Sequence, residues 1–132
     1  LLRLIDTNIA IHLRDGEPAI AKRFAAFDQM PLLSVVSRIE LENGVYRSNV
    51  DSSQLRARLN LILSQLTELE FGAREADAYR DIVAAIGYAR TRVFDRMIAA
   101  QAIATGATLV TINGSDFRDI PQLVLEEWPN PA

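Results

Sequence analysis

The sequence predicts an α/β fold in which a parallel or mostly parallel sheet is covered by helices on both faces. Three observations carry that expectation. Short apolar runs end abruptly in polar turns, as buried strands do; between them the apolar spacing changes to a helical period; and the two patterns alternate along the chain instead of falling in blocks. With 132 residues, 49% of them apolar and 23% charged, the chain can bury roughly two-thirds of its unfolded surface without covalent staples.

The opening run Leu1 to Ile5 reads as a strand that stops at Asp6-Thr7-Asn8. After Glu17-Pro18, residues Ile20, Phe24 and Phe27 share one face of a helix reaching about Asp28. Leu32-Leu33-Ser34-Val35-Val36 is the second strand; from Ser37 onward Ile39, Leu41 and Val45 mark the next helix. Asp51-Ser52-Ser53-Gln54 reads as a capping box, and Leu55, Leu59, Ile62, Leu63 and Leu66 then fall on a single helical stripe. Thr67 to Phe71 is a weaker strand candidate. A helix from about Ala73 to Ile86 turns Ala76, Tyr79, Ile82, Val83 and Ile86 inward and stops at Gly87. The helix from about Asp95 to Thr105 is apolar on most sides and must be largely buried. Ala107 to Ile112 is the third strong strand, and Leu123 to Glu126 a second weak one. With about five strands and no linker or repeat, residues 1–132 are expected to form a single domain.

Composition excludes several classes of function. The absence of cysteine removes disulfide scaffolds, thiol nucleophiles and cysteine-ligated metals, and fits a reducing compartment. No apolar run approaches the roughly 18 residues of a membrane span, and Leu1 to Ile5 is too short for a signal-peptide core, so a cytoplasmic location is expected. A net charge of -3 makes the molecule as a whole no magnet for nucleic acid. Its positive charges are lopsided, since Lys22 is the sole lysine and the rest are arginines. Arginine's planar fork suits phosphate and carboxylate, although a GC-rich genome produces the same bias.

Open α/β sheets bind ligands beyond the carboxyl ends of their strands, which makes the acids at those ends the residues of interest. Asp6 directly follows the first strand, Glu40 lies one helical turn past the second, and Asp116 lies just past the third strong strand. Asp95 opens the buried helix. Four converging carboxylates repel one another in a low-dielectric cleft, and a hard divalent cation, Mg2+ or Mn2+, offsets that repulsion with all-oxygen ligands. Each acid also has an ordinary structural role open to it. Asp6 and Asp95 suit helix N-caps, Ser37-Arg38-Ile39-Glu40 is a formal capping box, and Asp116 can close a turn after Asn113-Gly114. Glu40 and Glu42 stand about 200° apart around a helix, so only one of them can face the site.

These segments resemble a known family. Leu4-Ile5-Asp6-Thr7-Asn8-Ile9 is similar to the opening motif of PIN-domain ribonucleases, in particular the toxin subunits of VapBC-type toxin–antitoxin pairs. Ser34 to Val45, with its acid at Glu40, resembles the second motif, and Phe94-Asp95-Arg96-Met97-Ile98-Ala99-Ala100 the third. Ala107 to Asn113 with Asp116-Phe117 resembles the fourth, and Leu123 to Trp128 the usual C-terminal strand. The resemblance spans essentially the whole chain in order. Two departures avoid the acids: Tyr88 to Val93 lacks a glycine often found there, and Gln101 stands where histidine is common.

The resemblance implies a PIN-like fold and metal-dependent hydrolysis of RNA phosphodiester bonds. In that chemistry carboxylates hold one or two cations, which lower the pKa of a bound water and neutralise charge on the phosphate. Asp6 and Asp95 are the first expected ligands, with Glu40 and Asp116 completing the set directly or through water. Asn8, Thr111 and Asn113 are candidates for orienting those carboxylates, or simply for turn hydrogen bonds. Arg90, Arg92 and Arg96 cluster around Asp95 as candidate phosphate contacts, or as solvated or carboxylate-paired arginines. His12, the sole histidine, is expected on the surface or in packing, and its solitude argues against the paired-histidine mechanism of metal-free ribonucleases. A non-catalytic PIN-fold module that binds RNA or protein is the rival, disfavoured by the retention of four mutually repelling acids. Receiver domains and haloacid-dehalogenase-type phosphatases fit worse: the first would want a lysine after the last strand, the second an aspartate at Asn8. The resemblance further implies a homodimer and a VapB-like antitoxin. The stripe Leu55, Leu59, Ile62, Leu63 and Leu66, with Leu41 and Val45, either leaves a groove for an amphipathic helix of that partner or packs into the core.

Overall fold

The computed structural model describes residues 1–47 and 51–131. In chain order the elements are β1 (Arg3–Ile5), α1 (Thr7–Arg14), α2 (Pro18–Ala25), β2 (Leu32–Ser34), α3 (Val35–Arg47), α4 (Ser52–Leu63), β3 (Thr67–Leu69), α5 (Ala73–Ile86), α6 (Val93–Thr105), β4 (Thr108–Thr111) and β5 (Leu125–Glu127). Single 3-10 turns lie at Arg90–Arg92 and Gly114–Asp116. The five strands form one sheet in the order β3-β2-β1-β4-β5, and every pairing is parallel. The two faint strand segments of the sequence are therefore its edges.

Alternation along the short strands sorts the core into two layers. Ile5, Leu33 and Val110 point to one face, where they meet Ile9 and Ala10 of α1, Ile20 of α2, Leu41 and Val45 of α3, and α4. Leu4 and Leu109 point to the other, against Ile82 of α5 and the alanine-rich side of α6, closed below by Phe117 and Ile120. The apolar surplus of α6 is thus taken up inside, between the sheet and α5. Gly106, in the left-handed conformation (φ 72°), ends that helix and turns the chain into β4.

Several expectations from sequence need correction. Val35 and Val36 belong to the first turn of α3, because the buried Ser34 hydroxyl accepts the Val36 N–H at 3.0 Å and starts the helix two residues before Ser37. The Ser37 to Glu40 capping box therefore does not exist. Asp95 is not an N-cap, since α6 begins at Val93 and Asp95 lies within its first turn. Asp51 does cap α4, accepting the Ser53 N–H at 3.0 Å. In α5 the inward set is displaced: Ala76 is exposed, while Glu75 is buried and its carboxylate accepts the Gly72 N–H at 3.1 Å. The α2 helix stops at Ala25, short of Asp28. Finally, Leu55, Leu59 and Ile62, with Leu41 and Val45, are core residues, and Leu63 and Leu66 lean against them. Leu41 and Leu55 also line a cavity between α1, α3 and α4.

Candidate active site

In this strand order the chain walks outward from β1 through β2 to β3 and then returns to β4 on the opposite side of β1. The carboxyl ends of β1 and β4 therefore flank the topological switch point, where connections diverge and a crevice opens. Asp6 ends β1 and Thr111 ends β4, and the two side chains meet: the Thr111 hydroxyl donates to Asp6 Oδ2 at 2.9 Å. The other oxygen, Oδ1, accepts the Thr7 N–H at 2.8 Å, so Asp6 is also the N-cap of α1. Its two candidate roles coincide. Only 5% of Asp6 is exposed, and burial is the main reason its carboxyl is pushed up to about 6. The hydrogen bonds from Thr111 and Thr7 oppose that rise, and the charges of Asp95 and Glu40 add to it.

Glu40 faces the site from the second turn of α3. Its Oε1 accepts the Thr7 hydroxyl at 2.9 Å, and the Thr7 oxygen lies 2.7 Å from the Ser37 hydroxyl. Since Thr7 has one hydroxyl proton and gives it to Glu40, Ser37 donates to Thr7. This buried relay holds the glutamate, and Ser37 belongs to it because α3 already runs through that position. Glu42 points away and pairs with Arg56 at 2.5 Å and Arg38 at 3.4 Å.

Asp95 is half-buried, and its carboxyl is raised first by burial and next by the charge of Asp116, with Arg92 pulling the other way and Glu40 adding a little. Asp116 sits in the turn after β4, and the Arg92 guanidinium forms a close ion pair with it while standing 3.8 Å from Asp95. The structure thus gathers the four acids in two pairs linked electrostatically through Asp95: Asp6 and Glu40 are both held by Thr7, by its N–H and its hydroxyl, and Asp95 and Asp116 are bridged by an arginine. Among the described residues no three acidic or histidine side chains are close enough to hold a metal ion as they stand. The donor chemistry nevertheless fits a hard cation, because Asp6, Glu40 and Asp95 are all oxygen donors, and the charges of Asp95 and Glu40 act on Asp6 to disfavour its ionised form.

The arginines and asparagines behave differently from the sequence-based expectation. Arg92 is engaged with carboxylates. Arg96 is only 6% exposed and donates to the Gly87 carbonyl at 2.6 Å, so it ties α6 to the end of α5 and is not presented to a phosphate. Arg90 is exposed. Among the described residues the side chains of Asn8 and Asn113 orient no carboxylate; Asn8 is exposed, and Asn113 contributes its backbone N–H to the Thr111 hydroxyl at 2.9 Å. The residues that sequence reasoning missed are Thr7 and Ser37, for which the only signal was a hydroxyl residue directly after Asp6 and another one turn before Glu40. Gln101 also has a clear role, donating to the carbonyls of Leu69 and Glu70 at 3.1 and 3.0 Å and so pinning α6 to the end of β3.

The PIN domain family profile matches residues 3–123. The chain belongs to the PIN-domain family. Among its relatives, Ribonuclease VapC1 of Rickettsia felis is 32% identical over 91% of both chains. The tRNA(fMet)-specific endonuclease VapC of Shigella flexneri is 30% identical, covering 95% of this chain and 96% of that one. Among solved structures, a chain of VapBC2 from Rickettsia felis, crystallised with a DNA fragment from its promoter, superposes with a TM-score of 0.85 at 28% identity. That superposition covers 97% of this chain and 99% of the other. Within the PIN family, then, this chain sits with the VapC ribonucleases. No described helix is long and apolar enough to cross a membrane.

Proposed function

We propose that residues 1–132 act as a single PIN domain, the toxin of a VapBC-type toxin–antitoxin pair, and that it hydrolyses RNA phosphodiester bonds in the cytoplasm. The observation that carries this reading is the meeting of Asp6 with Thr111 at the switch point, with the charges of Glu40 and Asp95 directed at the same carboxylate. Asp6 and Asp95 are the residues that would hold Mg2+ or Mn2+, with Glu40 and Asp116 completing the set. Such a cation, when bound, supplies an acidified water and neutralises charge on the phosphate. The chain's own residues do the rest. Thr111 and the Thr7 N–H fix both oxygens of Asp6, the Ser37-Thr7 relay fixes Glu40, and Arg92 holds Asp116 beside Asp95. The relatives' names support RNA as substrate, and the solved VapBC complexes support a VapB-like antitoxin as partner. A homodimer belongs to the same proposal. The non-catalytic alternative draws on one observation, the Arg92 guanidinium lying between Asp116 and Asp95.

Incubating the purified chain with cellular RNA, with Mg2+ or with excess EDTA, separates the two. Cleavage that requires the cation and disappears in Asp95→Asn supports the nuclease, and sequencing new 5′ ends against an Asp6→Asn control names the target. Undiminished cleavage in EDTA would refute the metal-dependent reading, and absence of cleavage under all conditions would favour the binding module.

A further inference from the structure

Beside the acidic site lies a cavity of about 590 Å3 between α1, α3 and α4, and Glu40 is part of its wall. Its apolar lining comes from Ile11, Leu41 and Leu55, and the rest of its polar wall from Arg14, Asp15, Arg47 and Arg58. We propose that this cavity is a subsite for a nucleotide of the RNA strand flanking the scissile bond, with its phosphate on the arginines and its sugar or base against the apolar lining. The proposal rests on the nuclease reading above and extends it to a named surface.

Charge accounting points the same way. Most arginines of this chain near a carboxylate are already committed: Arg38 to Glu42 and Glu68, Arg56 to Glu42, Arg92 to Asp116, Arg118 to Glu127. In the cavity, Arg14 is held by Asp15 at 3.0 Å, whereas Arg47 and Arg58 are exposed and, among the described residues, pair with no carboxylate. Two guanidinium forks without carboxylate partners, one on α3 and one on α4, thus border the same cavity in a chain of net charge -3, and the planar fork is the cationic group best suited to phosphate. Gly44 shapes it further. A Cβ there would stand 3.3 Å from Arg14 Nη1, so its absence leaves that guanidinium a few tenths of an ångström of extra room at the cavity wall. A site for a bare anion has no use for Ile11, Leu41 and Leu55; a nucleotide uses both halves. Glu40 belongs both to the cavity wall and to the acidic site, so the two are neighbours and a strand passing Glu40 reaches from one to the other. That adjacency favours RNA over an acidic protein segment.

The test compares wild type with the Arg47→Ala/Arg58→Ala double variant, whose changes lie at exposed positions. Binding of a fluorescein-labelled single-stranded RNA is followed by anisotropy in EDTA, where the RNA stays intact. The double variant is expected to bind about tenfold more weakly, and its plot of log affinity against log salt to be shallower by about one. In Mg2+ its KM should rise by a similar factor with kcat within about threefold, and Arg47→Lys/Arg58→Lys should recover part of the loss because the charge returns without the fork. Unchanged binding and KM in the double variant would overturn the proposal. So would a variant that binds and cuts RNA normally but no longer holds a co-expressed antitoxin, since the cavity would then belong to the protein partner. If wild type cuts no RNA yet the double variant still loses RNA affinity, the nuclease reading fails while the cavity stands as an RNA-binding site.

Discussion

Replacing Asp6 by Asn is expected to stabilise the protein at neutral pH while abolishing its activity. The Asp6 carboxyl stands at about 6 in the folded chain against an ordinary 3.8, chiefly because burial disfavours its charged form. A difference of roughly two units, at about 1.4 kcal/mol each, corresponds to roughly 3 kcal/mol. The folded state holds this proton more tightly than the unfolded state does. The group's contribution is therefore fully present below pH 3.8 and is lost as pH rises through about 6. Above pH 7 the wild type bears the whole cost of burying the charge, and asparagine bears none. Asparagine caps a helix about as well as aspartate and retains an acceptor for the Thr7 N–H. It forgoes the attraction of a negative charge to the helix N-terminus, worth about 0.3–1 kcal/mol.

The net expectation is a gain of about 2 kcal/mol at pH 8, or about 6 °C in Tm for a chain of this size. Below about pH 4 the gain should vanish. Urea denaturation of both proteins from pH 4 to pH 8 measures it, and the difference between them isolates Asp6 from the other titrating acids. Asp28, Glu42, Asp51 and Glu127, whose carboxyls are lowered by their partners, shift both proteins alike. A difference that does not change with pH, or a variant less stable than wild type at pH 8, would refute the reasoning. Adding Mg2+ should then close the gap by stabilising wild type alone, since a ligand stabilises only the state that binds it.

Three further substitutions probe the neighbouring structure. Thr111→Val removes the hydroxyl that donates to Asp6 and accepts from the Asn113 N–H; it should cost about 1–3 kcal/mol and move the Asp6 titration upward, as read from its carboxyl carbon by NMR. Arg96→Met keeps the stem but leaves the Gly87 carbonyl without its donor, so stability should fall by about 1–3 kcal/mol while RNA affinity is unchanged. A loss of RNA affinity with intact stability would return Arg96 to the phosphate contacts. Leu59→Ala, in the fully buried α4 stripe, should cost about 3–5 kcal/mol in urea denaturation; a change confined to partner binding would mean the stripe is surface after all.

What was legible in the sequence was local. Asp6 could be found because the apolar run before it stops within one residue, and that boundary is the physical event that ends a buried strand. The edge strands β3 and β5 were faint because they are three residues long and half or fully exposed, which leaves little apolar alternation to detect. Val35 and Val36 look like strand because both are β-branched, yet a single serine hydroxyl bonded to the Val36 N–H was enough to begin α3 there. Arg92 and Arg96 looked equivalent, four residues apart on either side of Asp95. They differ because one precedes α6 and reaches Asp116, while the other lies inside it and meets the end of α5. The partner in each case is distant in sequence, by 24 and 9 residues, and depends on how α5, α6 and β4 pack. Side-chain commitments of this kind are properties of the packed fold, and periodicity does not encode them.

The same packing explains why the site is charged as it is. A crevice at the switch point requires β1 and β4 to lie side by side, which buries whatever residue ends β1 beneath α1 and α3. Placing aspartate there makes the desolvation of its carboxylate a consequence of topology. Two hydroxyl-bearing residues soften the penalty without neutralising it, and so the carboxyl remains near 6, within reach of a proton or a cation. At the opposite rim, Arg92 already neutralises Asp116. An incoming cation therefore competes with a proton for Asp6 and with a guanidinium for Asp116. The first competition eases as pH rises through about 6 and the proton is lost, and the second depends on a single half-exposed arginine.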